Sequence, residues 1–581
     1  AAAGLNYGDL CEAASCNLGS FNITQPNYAL ACPGTRSQIS IQAMCDDGSS
    51  IKDDYAGTVD LSTTENTLSE FYASPVSITA INAIIFDGSE LGNKDVYLFH
   101  QNENSTLRVI AEDSSVPISS TSSNPTDFRT SGFALIEPTS FVCGKSTNMI
   151  LTAIGEDAAG ASCQILTGFD GTKSVKAWYS VNIDSFAGAD VISTDLSIAG
   201  QSISDQSEPA ANNVDLTFAS GIANIPVAYA NAGQILAVNI KHDEAPYDNS
   251  IPELSGVTLN ASTASFVAKP EKINLVINSA NSNCAAANAS CSKFVAAGSP
   301  FSITAEAQCF GGGLADDYQG SIDFDHSLVS PLPGYIGSLS VSSVVIADVD
   351  DGAVQINNQA ISEVGVFNLT AEASSYFSET IPLTELLKVG RFFPANFALT
   401  SSDVTNICGS FSYMDQPGMS VSYELEARNT AGIKTLNYDG DFAKATLSLV
   451  AENNNEGTNY QSRLNGFNTT SWSNGDYVYV DDGRFDRLAS GTPDGPYQDL
   501  KIGIQLSDND GGISALTGLN MRANTSSNCT AIDDCDALEL TGGLDIRFGQ
   551  LKLSNVFGPE TSPLDMTVRT EYFNGPNFVL N

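Results

Sequence analysis

The 581-residue chain has little of what catalysis usually draws on. Its three histidines, His100, His242 and His326, are far apart, so a histidine triad or histidine zinc site would need residues from several modules. No nucleophile elbow, zinc-protease, phosphate-loop or dinucleotide fingerprint occurs. No carboxylate pair stands out as a glycosidase would require. The sequence therefore reads as a non-enzyme. Zinc knuckles of the C-x2-C type are absent. No run of 18 apolar residues exists, which excludes a membrane-spanning helix from the reading. Helical periodicity over a dozen residues is missing too. Cations are scarce: 25 Lys+Arg face 67 Asp+Glu, a net charge of −42. Such a polyanion is repelled by nucleic acid and by anionic lipid. The acid is spread without blocks of like charge, as on solvated strand faces.

What the chain does have is strand signals and a repeat. Short alternating or β-branched segments end in Gly, Asp, Asn, Ser or Pro. One phrase recurs in residues 41–63, 151–175, 303–325 and 425–447: a strand, a Gly/Asp-rich turn, an aromatic or Leu two residues before a glycine, and another strand. The anchor glycines Gly57, Gly168, Gly320 and Gly440 stand 111, 152 and 120 residues apart. That spacing fits β-sandwich domains rather than a short solenoid repeat. A second phrase marks junctions in residues 129–135, 268–275 and 391–399: a basic residue, a short spacer, then a strand ending in Leu.

The expected architecture is all-β, tandem immunoglobulin-like sandwiches in an elongated string. The divisions are an N-terminal arm (1–16), sandwiches at 17–125, 126–265, 266–388 and 389–545 (the last with a long loop insertion), and a further module or closing strands at 546–581.

Twelve cysteines, most at short intervals, read as disulfides of an oxidising compartment. Neighbours in sequence suggest the pairs Cys11/Cys16, Cys32/Cys45, Cys143/Cys163, Cys284/Cys291 and Cys529/Cys535, with Cys309 and Cys408 left over. The start Ala1-Ala2-Ala3-Gly4 looks like what signal-peptide cleavage leaves. A secreted or cell-surface location, reached through the periplasm, is expected.

Two kinds of candidate site follow. Calcium needs hard oxygen ligands on tight loops. The candidates are Asp508 and Asp510, Asp348 and Asp350, and Asp481 and Asp482, with an ordinary β-turn as the competing reading of each loop. Residues 453–497 read as a long decorated loop, where Trp472, Tyr477 and Tyr479 are candidates for stacking on a sugar; cross-strand packing is the competing role.

The last third carries a more specific pattern: GRFFPANFAL (390–399), Cys408 followed by FSYMDQP (411–417), LEARNTAGIKTLNYDG (425–440), LSDNDG (506–511) and GQLKLSNVFGPETSPLDMTVRT (549–570). In that order it resembles the large C-terminal region of the mannose-sensitive haemagglutinin pilus biogenesis protein Q (MshQ) family, and residues from 28 onward follow more loosely. The resemblance implies an envelope protein of a Gram-negative bacterium linked to a type IV pilus locus, with other surface or pilus proteins as partners. It supplies no catalytic motif. No lectin-like segment of the kind family members often carry is visible before Cys11, and the chain stops after a strand that they usually continue beyond. The function expected is structural and adhesive, as a stalk or subunit of a pilus-associated or other extracellular assembly. The alternatives are a carbohydrate- or host-surface-binding adhesin, with or without calcium, and self-association into a homopolymer through open sheet edges.

Overall fold

The computed structural model describes residues 16–48, 50–65, 67–138, 140–155, 162–182, 195–243, 258–373, 376–377, 379–381, 387–454, 456–508, 510, 515–523, 535–540 and 542–581. Strands form where side chains alternate. In Met419–Arg428 (MSVSYELEAR), Met419, Val421, Tyr423, Leu425 and Ala427 are buried while the residues between them face outward. Ser37–Cys45 buries Ile39, Ile41 and Ala43 in the same way. Period-two burial of this kind gives each strand one core face.

Four sandwiches follow one another. The first packs the sheet containing Leu18–Thr24, Ser37–Cys45 and Asn93–His100 over one containing Ala56–Thr63 and Val109–Asp113. In the second, Gly132–Ile136, Thr147–Gly155 and Ile222–Tyr229 face Gly171–Asn182 and Gly233–His242. In the third, Lys272–Val276, Phe301–Gln308 and Ala353–Gln359 face Gly320–Ser330 and Gly365–Ala373. The fourth sets Asn396–Val404, Met419–Arg428 and Asp476–Phe485 against Ala445–Asn453 and Tyr497–Asp508. A separate three-stranded sheet, Gly549–Leu553, Val568–Phe573 and Phe578–Leu580, closes the described chain.

One backbone arrangement occurs in all four sandwiches. The N–H groups of Ala43, Ala153, Ala307 and Ala427 donate to the carbonyls of Gly92, Gly221, Gly352 and Gly475, each at 2.8 Å. The carbonyls of the same alanines accept from Lys52, Leu166, Ala315 and Thr435 at 2.8–2.9 Å. All four alanines are fully buried. Opposite them on the first strand lie Phe21, Phe133, Ile273 and Phe397. The glycines have φ of +75°, +82°, +74° and +81°, and the residues before them (Leu91, Ser220, Asp351, Asn474) also have positive φ. This is the hairpin geometry in which two consecutive residues are left-handed. A methyl group on any of the glycines would fall inside contact distance of the carbonyl oxygen of Lys52, Leu166, Ala315 or Thr435.

The recurrent aromatic is a core plug at the crossover between sheets. Tyr55, Tyr318 and Tyr438 are buried there. In the second unit the structure corrects the sequence alignment: the plug is Phe169, two residues before Gly171, and not Leu166 before Gly168. Leu166 instead makes the clasp to Ala153.

The basic junction residues also have a common place. The carbonyls of Arg129, Lys269, Arg391 and Arg547 accept the N–H of Ala31, Cys143, Phe294 and Met414 at 2.8–2.9 Å. Each ties the end of a unit to a short segment near its start, in parallel pairing in all four units.

The disulfides overturn most of the neighbour-based pairing. The bonds are Cys16–Cys45, Cys32–Cys163, Cys143–Cys309 and Cys284–Cys291. Only the last joins the neighbours expected. Cys408 is exposed and has no disulfide, so the leftover residues Cys309 and Cys408 do not pair. Cys535 is bonded; Cys11 and Cys529 lie outside the described residues. Antiparallel folding brings cysteines together across units, with Cα atoms 5.6 Å apart for Cys32–Cys163 and 4.9 Å for Cys143–Cys309, and nearness in sequence does not report that.

Replacing Gly475 by Ala is expected to destabilise the fourth sandwich by roughly 2–3 kcal/mol or more, from left-handed strain and the carbonyl clash. Gly491→Ala, at a positive φ with open space around it, is the control for strain alone. Chemical denaturation with limited proteolysis reads the difference. In a non-reducing peptide map, peptides spanning Cys32–Cys163 and Cys143–Cys309 should appear, and among the described cysteines a thiol reagent should label Cys408.

Candidate functional site

The calcium candidates are already engaged in the fold. Asp510 forms a two-pronged pair with Arg391, Nη1 to Oδ2 at 2.7 Å and Nη2 to Oδ1 at 2.6 Å. The two side chains are 4% (Arg391) and 12% (Asp510) exposed. Arg391 Nε also donates to the Cys291 carbonyl at 2.7 Å. Asp508 accepts the Asp510 N–H at 3.0 Å. Asp348 accepts from Gln319 at 3.3 Å, and Asp350 caps the Ala347 N–H at 2.8 Å. Asp481 accepts the backbone and side-chain amides of Asn468 at 2.6 and 2.9 Å, and the backbone bond holds its carboxyl below the usual range. Asp482 is exposed, its N–H directed at Asp481. Among the described residues no three His, Cys, Asp or Glu side chains converge as a metal set.

The aromatic candidates lie in the core. Trp472 is buried, donates Nε1–H to the Ala445 carbonyl at 3.0 Å, and packs against Phe397, Tyr438 and Tyr477. Tyr477 and Tyr479 are buried on either side of Tyr423, at 6.0 and 4.8 Å. The segment read as a decorated loop contains the ten-residue strand Asp476–Phe485, which turns its tyrosines inward and Val478 and Val480 outward. Pairing with Met419–Arg428 decides this: that strand's inward face requires an aromatic partner row.

What the structure does assemble lies at the joints. Between the first and second units stand Cys32–Cys163 and the Asn27 Nδ2 to Asn239 Oδ1 bond at 3.2 Å. Between the second and third stand Cys143–Cys309, Asn231 Nδ2 to Asp317 Oδ2 at 2.8 Å, and Lys269 to Glu379 at 2.8 Å. Between the third and fourth, beside Arg391–Asp510, Glu363 accepts the N–H groups of Leu436 and Asn437 at 2.9 and 3.2 Å. Asn437 exchanges hydrogen bonds with the Tyr335 backbone, both at 2.7 Å. Burial pushes the Glu363 carboxyl up, against three backbone N–H groups that favour its charge. Sequence reasoning found Arg129, Lys269 and Arg391 but not Glu363, Asn231 or Asn437. An isolated Asn or Glu carries no signal by itself, and the partners that give these residues their place, Asp317, Leu436, Asn437 and Tyr335, lie 73–102 residues away in sequence.

The third joint also encloses a cleft of about 650 Å³. It is lined by residues 330–335, 436–437 and 439–442 together with Asn288, Ala289 and Asn474. Its size suits a small ligand, and its groups (Asp439, Asp441, Asn474, Tyr335) suit hydroxyls.

Four family models match in succession. The description "Domain of unknown function (DUF6701), first Ig-like domain" covers residues 113–256, the second DUF6701 domain 269–360, the third 363–536 and the fourth 547–581. No curated protein matches the chain. Among solved structures, similarity is found to Escherichia coli alpha-2-macroglobulin activated by porcine elastase, at 11% identity over 92% of this chain and 45% of that one, TM-score 0.17. An ICAM-5 D1–D4 ectodomain fragment gives 11% over 84% and 98%, TM-score 0.21. Titin domains I67–I69, in an E-to-A mutated variant, give 9% over 61% and 94%, TM-score 0.17. The chain thus spans under half the length of that alpha-2-macroglobulin. The fold assignment rests on the sheets and on the Ig-like first-domain match.

Asp510→Ala strands a buried guanidinium and is expected to cost roughly 3–5 kcal/mol of unfolding free energy. A chelator added to the wild-type protein should leave its melting temperature where it was. A chelator-induced fall reversed by Ca²⁺ would show a metal role in place of the ion pair.

Proposed function

Because the chain belongs to the DUF6701 family and builds one Ig-like plan unit after unit, we propose that it is a non-enzymatic extracellular structural protein, a stalk or subunit of a surface assembly. The finer reading is that the assembly is associated with a type IV pilus of the MSHA kind, which follows from the resemblance of residues 390–573 to the MshQ family. The observation that carries the structural role is the pair of disulfides Cys32–Cys163 and Cys143–Cys309, each joining two successive sandwiches. A disulfide within a domain mainly stabilises that domain against unfolding. One placed across a joint does something else: it fixes the angle and spacing of two bodies that would otherwise hinge. A protein that serves as a spacer needs that.

A second reading, an adhesin, is favoured by the cleft at the third joint rather than by Trp472, whose ring is enclosed. Tyr335→Ala with Asp441→Ala should abolish any glycan-array signal if this cleft is the site. Retention of the signal would refute it.

Small-angle scattering tests the structural reading. Wild type should give a well-defined inter-unit distance distribution, and Cys32→Ser with Cys143→Ser should broaden it while each sandwich keeps its unfolding transition. An unchanged distribution would show that the bridges do not set the joint. Turnover of a surface polysaccharide would overturn the non-enzymatic reading.

A further inference from the structure

The two bridges between sandwiches overlap along the chain. Cys32–Cys163 closes a loop of 131 residues and Cys143–Cys309 one of 166. The second loop opens 20 residues before the first one closes. A pulling load that enters before Cys32 and leaves beyond Cys309 therefore meets a covalent short cut. It crosses from Cys32 to Cys163, runs backward along the chain to Cys143, and crosses again to Cys309. The shortest covalent path draws taut first and takes the load. Pulled straight, the 20 residues of the short cut reach about 70 Å, against about 970 Å for the 277 residues of chain from Cys32 to Cys309.

The bridging segment is well placed to bear tension. Cys163 stands at the first joint and Cys143 at the second, so the segment connects the two ends of the second sandwich. Its strand Thr147–Gly155 lies between Gly132–Ile136 and Ile222–Tyr229, paired with the first through five residues and with the second through six. Met149, Leu151 and Ala153 anchor it in the core. The hydrogen bonds of antiparallel ladders run across the strands. Tension along this strand therefore shears both ladders and loads their bonds together, rather than opening them one after another. Beyond Cys309 the arrangement changes. No disulfide among the described residues joins the third unit to the fourth. That joint is held by Arg391–Asp510 and by the bonds to Glu363, and a load there passes through the folded chain itself.

We infer that the overlapping bridges make the first two sandwiches an inextensible tether, shielded from pulling force, and leave the third and fourth as the part that yields. Residues 33–142 and 164–308 lie on loops that the load bypasses, so local unfolding within them does not lengthen the molecule. Of the third sandwich, the chain from Phe310 onward can be drawn out. This deepens the structural reading above and rests on it: the bridges that set the joints also carry the tension between them.

Single-molecule force spectroscopy of the oxidised full chain, held by handles at its two ends, tests the inference. Wild type should give two unfolding events, from the third and fourth sandwiches. Opening the first bridge with Cys32→Ser/Cys163→Ser should add an event and lengthen the taut chain by about 230 Å, since Cys16–Cys45 then leads the load into residues 45–143. Opening the second with Cys143→Ser/Cys309→Ser should add about 420 Å, with Cys284–Cys291 intact. Opening both should add about 780 Å, roughly 140 Å more than the two separate gains together. The surplus is specific to overlapping bridges: residues 143–163 bear load in the wild type and in the fully opened chain, but in neither single-bridge variant. Four unfolding events from oxidised wild type, or gains that simply add, would overturn the inference. If the variants fail to fold, wild type before and after full reduction decides: events should rise from two to four, with a gain of at least about 780 Å. Bridges that leave the joints free to hinge still cap extension, so the scattering and pulling experiments fail separately.

Discussion

A glycine carbonyl meeting the N–H of a buried alanine sets the geometry of every sandwich in this protein. The alanine must be small because two chain segments close on its strand, one through its N–H and the other through its carbonyl. The glycine must be glycine for two reasons: its φ is positive, and its α-carbon rests against a carbonyl oxygen. Together they lock the register of two neighbouring strands and the exit of the turn that crosses to the other sheet. Register decides everything after that, since a slip of one residue would turn each core side chain to solvent. Tyr55, Phe169, Tyr318 and Tyr438 enter the core where they do because the turn leaving the clasp delivers them there. The clasp glycines Gly92, Gly221, Gly352 and Gly475 are spaced 129, 131 and 123 residues apart, a more even period than the anchor glycines near the plugs.

The all-β class, the serial plan and the basic junction residues were legible in the sequence because each has a short-range signature: alternation, turn residues, a charge before a strand. The clasp was not. Its turn dipeptides are Leu-Gly, Ser-Gly, Asp-Gly and Asn-Gly, and only the last two announce a hairpin by composition. The second plug was misplaced because Leu166 and Phe169 both precede a glycine by two, and only packing shows which ring fills the core. The disulfides were misassigned for a related reason. Proximity in sequence is a fair guide inside one loop, as at Cys284–Cys291, but it says nothing about a joint, where Cys143 finds Cys309 across 166 residues.

The candidate site residues have partners within the fold. Asp508 and Asp510 looked like metal ligands because they alternate on a tight turn. The structure uses Asp510 to neutralise an arginine whose carbonyl already closes the third unit. In a chain with 67 acidic residues and 25 basic ones, a cation is the scarcer partner, and an arginine buried at a joint recruits the nearest carboxylate. The same scarcity explains why Arg129, Lys269, Arg391 and Arg547 stand where units end. Repulsion among acidic sandwiches is strongest where they abut, and a cation at each end offsets it.

The joints mix polar bonds with apolar packing. Cys143 and Ala232 of the second unit lie in the buried cluster of the third, and Ala297, Val364 and Val366 of the third lie in that of the fourth. Each unit thus satisfies its own strands and shares a margin of its core with the next. The sheet of residues 549–580 follows the same plan: Phe573 and Phe578 pack against the fourth core, and Arg547 ties the sheet on through its contacts with Phe411 and Tyr572.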